Sequence, residues 1–138
     1  MIGLDTNVLA RIVLGDDARQ TSEALELLRA CDESGEVITV SLGVILELEW
    51  VLRSVAKLEK SIVIATFKKL LETAPLRIDN EAVLEHALYL YGGESAKADF
   101  PDCLFSAQYQ RMGCRNMASF DMQAQRLPKV LHPVKAAA

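Results

Sequence analysis

The sequence has little that suits cross-linking or soft-metal chemistry. Its three cysteines, Cys31, Cys103 and Cys114, are an odd number with no close pair. That argues against a disulfide framework and a cysteine-based zinc site, and leaves reduced, buried thiols as the expectation. The two histidines, His86 and His132, stand alone and carry no sign of being ligands. No apolar run approaches the ~18 residues of a membrane span. No signal peptide is read ahead of the first apolar segment, so a cytoplasmic protein without membrane attachment is expected. Excess positive charge is also missing, with a formal net charge of −4. The chain is therefore not a bulk-basic nucleic-acid binder. A local basic rim or a metal can still supply attraction for a nucleic acid.

What is present is enough for one core. Of 138 residues, 51% are hydrophobic, which suits a single domain, expected over residues 1–135 with 136–138 as a frayed tail. There is no repeat, low-complexity tract or linker. Strands are expected at Met1–Leu4, Val37–Val40, Leu76–Ile78, Arg115–Ser119 and Lys129–His132, from their apolar and β-branched content. Helical patterns follow Asn7, follow Thr21 or Ser22 as cap, and run over Leu42–Val55, Ser61–Glu72, Glu81–Tyr91 and about Asp99–Met112. Gly92-Gly93-Glu94-Ser95 reads as a loop. Strands that alternate with helices predict the α/β class, a parallel sheet with helices on both faces.

Met1-Ile2-Gly3-Leu4-Asp5-Thr6-Asn7 is an apolar run that stops at a carboxylate, a hydroxyl and an amide. Asp5 therefore stands at the carboxyl end of a buried strand, where ligands bind in open α/β sheets. Asp121 repeats the pattern after Ala118-Ser119-Phe120. Asp99 and Asp102 are one turn apart at a helix start that Pro101 favours, so they share a face, with Ser106 below Asp102. Each acid alone has a structural explanation as a turn former or helix cap. Two strand ends and a helix start that open on one sheet edge are less easily explained that way. The helix after the second strand adds Glu47 or Glu49. Val44, Leu48, Val51 and Val55 form one row at 100° per residue. Glu47 lies closer to that row, but Ile45 and Leu52 widen the stripe. Periodicity leans to Glu47 without settling the choice.

Carboxylates gathered in a cleft repel one another and each must shed water. A divalent cation resolves the conflict, and hard oxygen donors select Mg²⁺ or Mn²⁺ over zinc. Such a site suits attack of metal-activated water on a phosphodiester.

Four blocks of the chain, Asp5-Thr6-Asn7-Val8-Leu9, Glu47-Leu48-Glu49-Trp50-Val51-Leu52, Ala98-Asp99-Phe100-Pro101-Asp102 and Ser119-Phe120-Asp121, resemble in order and spacing the signature blocks of PIN-domain ribonucleases, above all VapC-type toxins of bacterial toxin–antitoxin pairs. The resemblance spans essentially the whole chain and implies a PIN-like three-layer α/β fold. It implies a Mg²⁺- or Mn²⁺-dependent RNA endonuclease in which Asp5, Glu47, Asp102 and Asp121 are the catalytic, metal-holding acids. Its helix block places the acid three residues before Trp50, which selects Glu47. Thr6, Asn7, Asp99 and Ser119 match supporting positions. Ser119 stands where many relatives carry threonine. The implied partners are RNA, a small VapB-type antitoxin that silences the enzyme, a second copy in a homodimer, and operator DNA bound by a toxin–antitoxin hetero-oligomer. Leu9, Val13 and Leu28 are candidates for the antitoxin groove; Arg11, Arg53, Arg111, Arg115 and Arg126 are candidates for the RNA path or for contact with acidic antitoxin groups.

Three other readings compete. A phosphatase with Asp5 as nucleophile needs a second aspartate two residues on, where Asn7 stands. A phosphate-accepting receiver domain needs a lysine at a strand end near the acids, and none is there. A catalytically silent PIN-like binding module is disfavoured by the presence of all four acids.

Overall fold

A computed structural model describes residues 1–93 and 97–138, in two compact units, 1–81 and 82–138. The first opens with β1 (Ile2–Gly3), α1 (Thr6–Leu14), α2 (Ala18–Ser34) and β2 (Ile38–Val40). It continues with α3 (Leu42–Trp50), a π-helical turn over Val51–Val55, α4 (Lys60–Leu71) and β3 (Leu76–Ile78). The three strands form one parallel sheet in the order β1-β2-β3, with Ile2 opposite Ile38 and Ile38 opposite Leu76. Parallel neighbours require crossovers, which the helices supply. Ile38, Val40, Leu76 and Ile78 are buried.

Caps set most of the helix starts. α2 begins earlier than expected because Asp17, not Thr21 or Ser22, is its cap: the Gln20 N–H donates to Asp17 Oδ1 at 3.0 Å. Gly35 closes α2 in the left-handed conformation at φ 75°, the usual work of glycine after a helix. Ser41 caps α3 by accepting from the Val44 N–H at 3.2 Å. The expected helix Leu42–Val55 forms as α3 plus the π-helical turn, in which the Ala56 N–H reaches Val51 O at 2.9 Å, five residues back.

The second unit holds α5 (Glu81–Tyr91), α6 (Phe100–Arg111), β4 (Met117–Ala118), a 3₁₀ turn (Ala124–Arg126), β5 (Val130–Leu131) and α7 (Pro133–Ala136). β4 and β5 pair in parallel, Met117 opposite Val130 and Ala118 opposite Leu131. The rings of Tyr91 and Phe100 meet edge to face, with centroids 5.3 Å apart. Both late strands are shorter than the sequence suggests. α7 was not expected; His132 caps it by accepting from the Val134 N–H at 3.2 Å, and Pro133 starts it. The loop expected from Gly92 to Ser95 ends outside the described residues. Parallel strands between helices give the α/β class the alternation predicts. All three cysteines are free thiols, Cys31 and Cys103 buried and Cys114 half-buried. Among the described residues no helix is long and apolar enough to cross a membrane.

Candidate active site

In the first unit Asp5 follows β1, where the apolar run of the sequence stops. The Leu4 N–H donates to Thr39 O at 3.2 Å, the last rung between β1 and β2, and the chain then turns into α1. Asp5 is the cap of that helix, with its Oδ1 accepting from the Val8 N–H at 3.1 Å and its side chain exposed. Oδ2 has no hydrogen-bond partner among the described residues. A carboxylate is favoured here because the helix start carries partial positive charge. Thr6 is buried beneath it and Asn7 is exposed. A groove of about 340 Å³ runs beside Asp5 and Asn7 to Gln20, Glu23 and Leu27. Arg11 lines it, with its guanidinium fixed to Gln20 Oε1 at 2.7 Å and to Asp16 Oδ1 at 3.0 Å.

On α3 the two glutamates part company. The buried row is Ile45, Leu48 and Leu52, not the row Val44 to Val55 that simple counting favoured; Val55 is 61% exposed. Glu49, not Glu47, lies on the buried stripe and is 1% exposed. Its carboxylate accepts from Arg53 Nε at 2.8 Å and from Arg53 Nη2 at 3.4 Å. Burying a carboxylate is costly unless it is paired, and Arg53 one turn on supplies the pair. Glu47, two residues earlier and so about 200° around the helix, is exposed. The i,i+4 spacing of Glu49 and Arg53 was the available signal for this ion pair. Reading Arg53 as a solvent-facing cation missed it.

The second unit brings three acids within electrostatic reach. Asp99 is the exposed cap residue of α6, and Asp102 lies half-buried in its first turn. The Asp102 carboxyl is held above the ordinary carboxylate range, first by burial, then by the negative charges of Asp121 and Asp99. Asp121 follows β4 and is locked by its neighbours. Its N–H donates to Ser119 Oγ at 3.1 Å, and its Oδ1 accepts from the Gln123 N–H at 2.7 Å and the Ala124 N–H at 3.2 Å. Gln125 secures the same loop by donating from Nε2 to Ser119 O at 2.9 Å. Nothing in the sequence marked Gln125; its role depends on the 3₁₀ turn folding back. Ser106, expected below Asp102, is buried and accepts from Gln110 Nε2 at 3.3 Å.

The structure thus brings Asp99 and Asp121 within electrostatic reach of Asp102 in one unit, and places Asp5 and Glu47 on solvent-facing positions of the other. Among the described residues no group of three or more His, Cys, Asp or Glu side chains stands in position to hold a metal ion. The donor chemistry nonetheless fits a hard cation, because the acids offer carboxylate oxygens and Asp102 is held above the ordinary carboxylate range by Asp121 and Asp99 as well as by burial.

One further expectation changes. Leu9 is fully buried and cannot line a groove. Val13 and Leu28 do, in a hollow of about 390 Å³ shared with Ile12, Leu25 and Leu70. Arg115 is held by a bond from Nη2 to Ala136 O at 3.0 Å.

The family model of the PIN domain matches residues 2–130. The chain is also similar to a VapC ribonuclease of Aquifex aeolicus (strain VF5), 26% identical over 125 residues that cover 90% of each protein.

Proposed function

The chain belongs to the PIN-domain family, and from that premise we propose that it is a Mg²⁺- or Mn²⁺-dependent endoribonuclease, the toxin of a VapBC-type pair. The name of its Aquifex relative, a VapC ribonuclease, supports RNA as substrate. What supports metal dependence is the gathering of acids around half-buried Asp102, whose carboxyl is held above the ordinary carboxylate range by burial and by the charges of Asp121 and Asp99, a penalty that a bound cation would relieve.

Asp5, Glu47, Asp102 and Asp121 would hold the ion, with Asp99 in support. When bound, the ion supplies an activated water and charge stabilisation for phosphodiester hydrolysis. The chain's own residues supply the placement. The cap at Asp5 aims its carboxylate from the start of α1, with Thr6 packed beneath and Asn7 alongside. Ser119 and Gln125 fix the loop that carries Asp121. Exposure of Glu47, with Glu49 committed to Arg53, supports Glu47 as the helix acid.

The hollow lined by Ile12, Val13, Leu25, Leu28 and Leu70, with Thr66, Lys69 and Thr73 as its polar members, suits an amphipathic segment of a small VapB-type antitoxin. A homodimer, and a toxin–antitoxin complex on operator DNA in the cytoplasm, complete the reading.

The test is cleavage of RNA by the purified protein with Mg²⁺, with Mn²⁺ and with chelator. Metal-dependent cleavage that Asp5→Asn abolishes is expected; full activity in the chelator, or in Asp5→Asn, sinks the assignment.

A further inference from the structure

The residue before Asp121 has no part in the acid cluster. Phe120 is 78% exposed, and so is its near neighbour Met122, at 80%. A phenyl ring left this open contributes little to a core. It is nevertheless held in place: its ring meets the His132 imidazole edge to face, with centroids 5.5 Å apart and planes at 80°. His132 is anchored in turn by its bond to the Val134 N–H. The edge contact uses one part of the ring and leaves most of its surface to solvent. The stretch of chain that carries it differs in charge from the whole. From Arg115 onward the side chains carry four cations, Arg115, Arg126, Lys129 and Lys135, against the single carboxylate of Asp121, whereas the whole chain stands at −4; the acids Asp99 and Asp102 at the start of α6 lie within electrostatic reach of one another or of Asp121.

An exposed aromatic ring in a locally basic segment has the chemistry of a stacking platform for unpaired bases along a polyanion. Its position adds a register. Adjacent residues stand ~3.8 Å apart at Cα, so a phosphate brought to Asp121 carries its own sugar and base past Phe120. We propose that Phe120, steadied by His132, stacks the base of the nucleotide that flanks the cleaved phosphodiester, a positioning contact that needs this base to be unpaired. This rests on the ribonuclease reading above and deepens it.

The experiment compares wild type, Phe120→Ala and Phe120→Tyr, each also in an Asp5→Asn background that leaves RNA uncut. The probes are a short mixed-sequence single-stranded RNA and the same strand annealed to its complement. Phe120→Ala is expected to weaken single-strand binding by about 5- to 150-fold, while Phe120→Tyr stays within about twofold. The dependence of binding on salt should be unchanged by either, since no charge is removed. Duplex binding should not distinguish the variants, and melting temperatures should agree. With cleavable RNA the loss should fall on KM more than on kcat. Equal single-strand affinity in Phe120→Ala overturns the proposal, as does an equal loss on duplex. So does a change from dimer to monomer by light scattering that accounts for the loss, because the ring then covers a second copy of the chain. If wild type cleaves RNA and Phe120→Ala matches it, only this inference fails. If wild type neither binds nor cleaves RNA, the ribonuclease reading fails with it.

Discussion

Arg53 Nε stands 2.8 Å from the Glu49 carboxylate, and that carboxylate is 1% exposed while the arginine side chain remains 41% exposed. The pair divides two neighbouring glutamates by role. Glu49→Gln should lower stability by about 1–3 kcal/mol, below the range for a fully buried pair because Arg53 reaches solvent. Cleavage per folded molecule should stay near wild type. Glu47→Gln should do the reverse: an unchanged melting curve with Mn²⁺ affinity, by calorimetry, weakened tenfold or more. Equal losses of Mn²⁺ binding in the two variants, or loss only in Glu49→Gln, would remove Glu47 from the site.

Asp5 performs two tasks that substitution can separate. Asparagine also caps a helix, so Asp5→Asn should abolish cleavage and keep stability within about 0.5 kcal/mol. Asp5→Ala should abolish cleavage and cost a further ~1 kcal/mol by loss of the cap. Denaturant melts of the two variants make the comparison.

Asp102 sets a pH dependence of definite sign. Its folded pKa lies above its ordinary value, so the folded state holds the proton more tightly than the unfolded chain. Its ionisation therefore weighs against folding. The penalty is absent below the ordinary carboxylate range and grows as pH rises through the raised pKa. Asp102→Asn should melt higher than wild type at neutral pH and alike at about pH 3. Mn²⁺ should raise the melting temperature of wild type and do less for the variant. A variant that melts lower at neutral pH would contradict the repulsion.

Gln125→Ala and Ser119→Ala each remove a bond made at Ser119, one at its carbonyl and one at its hydroxyl, that holds the loop carrying Asp121. Each should reduce kcat several-fold with a stability change of about 1 kcal/mol or less. A change in KM alone, with kcat intact, would show that the loop does not position the acid.

The early helices offer a contrast between core and surface. Leu9→Ala should cost about 2–5 kcal/mol, because it opens a void in a fully buried position. Leu28→Glu should leave cleavage and stability nearly unchanged and abolish binding of the antitoxin partner, read by co-purification. Retained binding would place the antitoxin elsewhere.

The legible parts of this protein are those where a short-range pattern changes abruptly. An apolar run that stops at Asp5, a proline in the first turn of the helix that carries Asp102, and a second strand end before Asp121 each announce their geometry locally. α3 is different. Leu42, Val44, Ile45, Leu46 and Leu48 make it apolar nearly all round, so counting found a plausible stripe that was not the buried one. Asp17 outcompeted Thr21 as a cap because the chain was ready to turn right after Gly15. The contacts of Gln125 and of Phe120 with His132 depend on residues that meet only after folding.

The π-helical turn at Val51–Val55 bears on how this chain tolerates change in length. Such a turn holds one residue more than an α-helical path between the same points. Loss of one residue from it would restore ordinary α-helical winding between the same points. A single-codon deletion within Val51–Val55 is therefore a change the helix can absorb by giving up its wide turn, whereas the same deletion inside α3 would rotate every later residue by ~100°. The slack in chain length lies downstream of Glu47 and Glu49, so the opposite facing of the two glutamates is set by α3 itself.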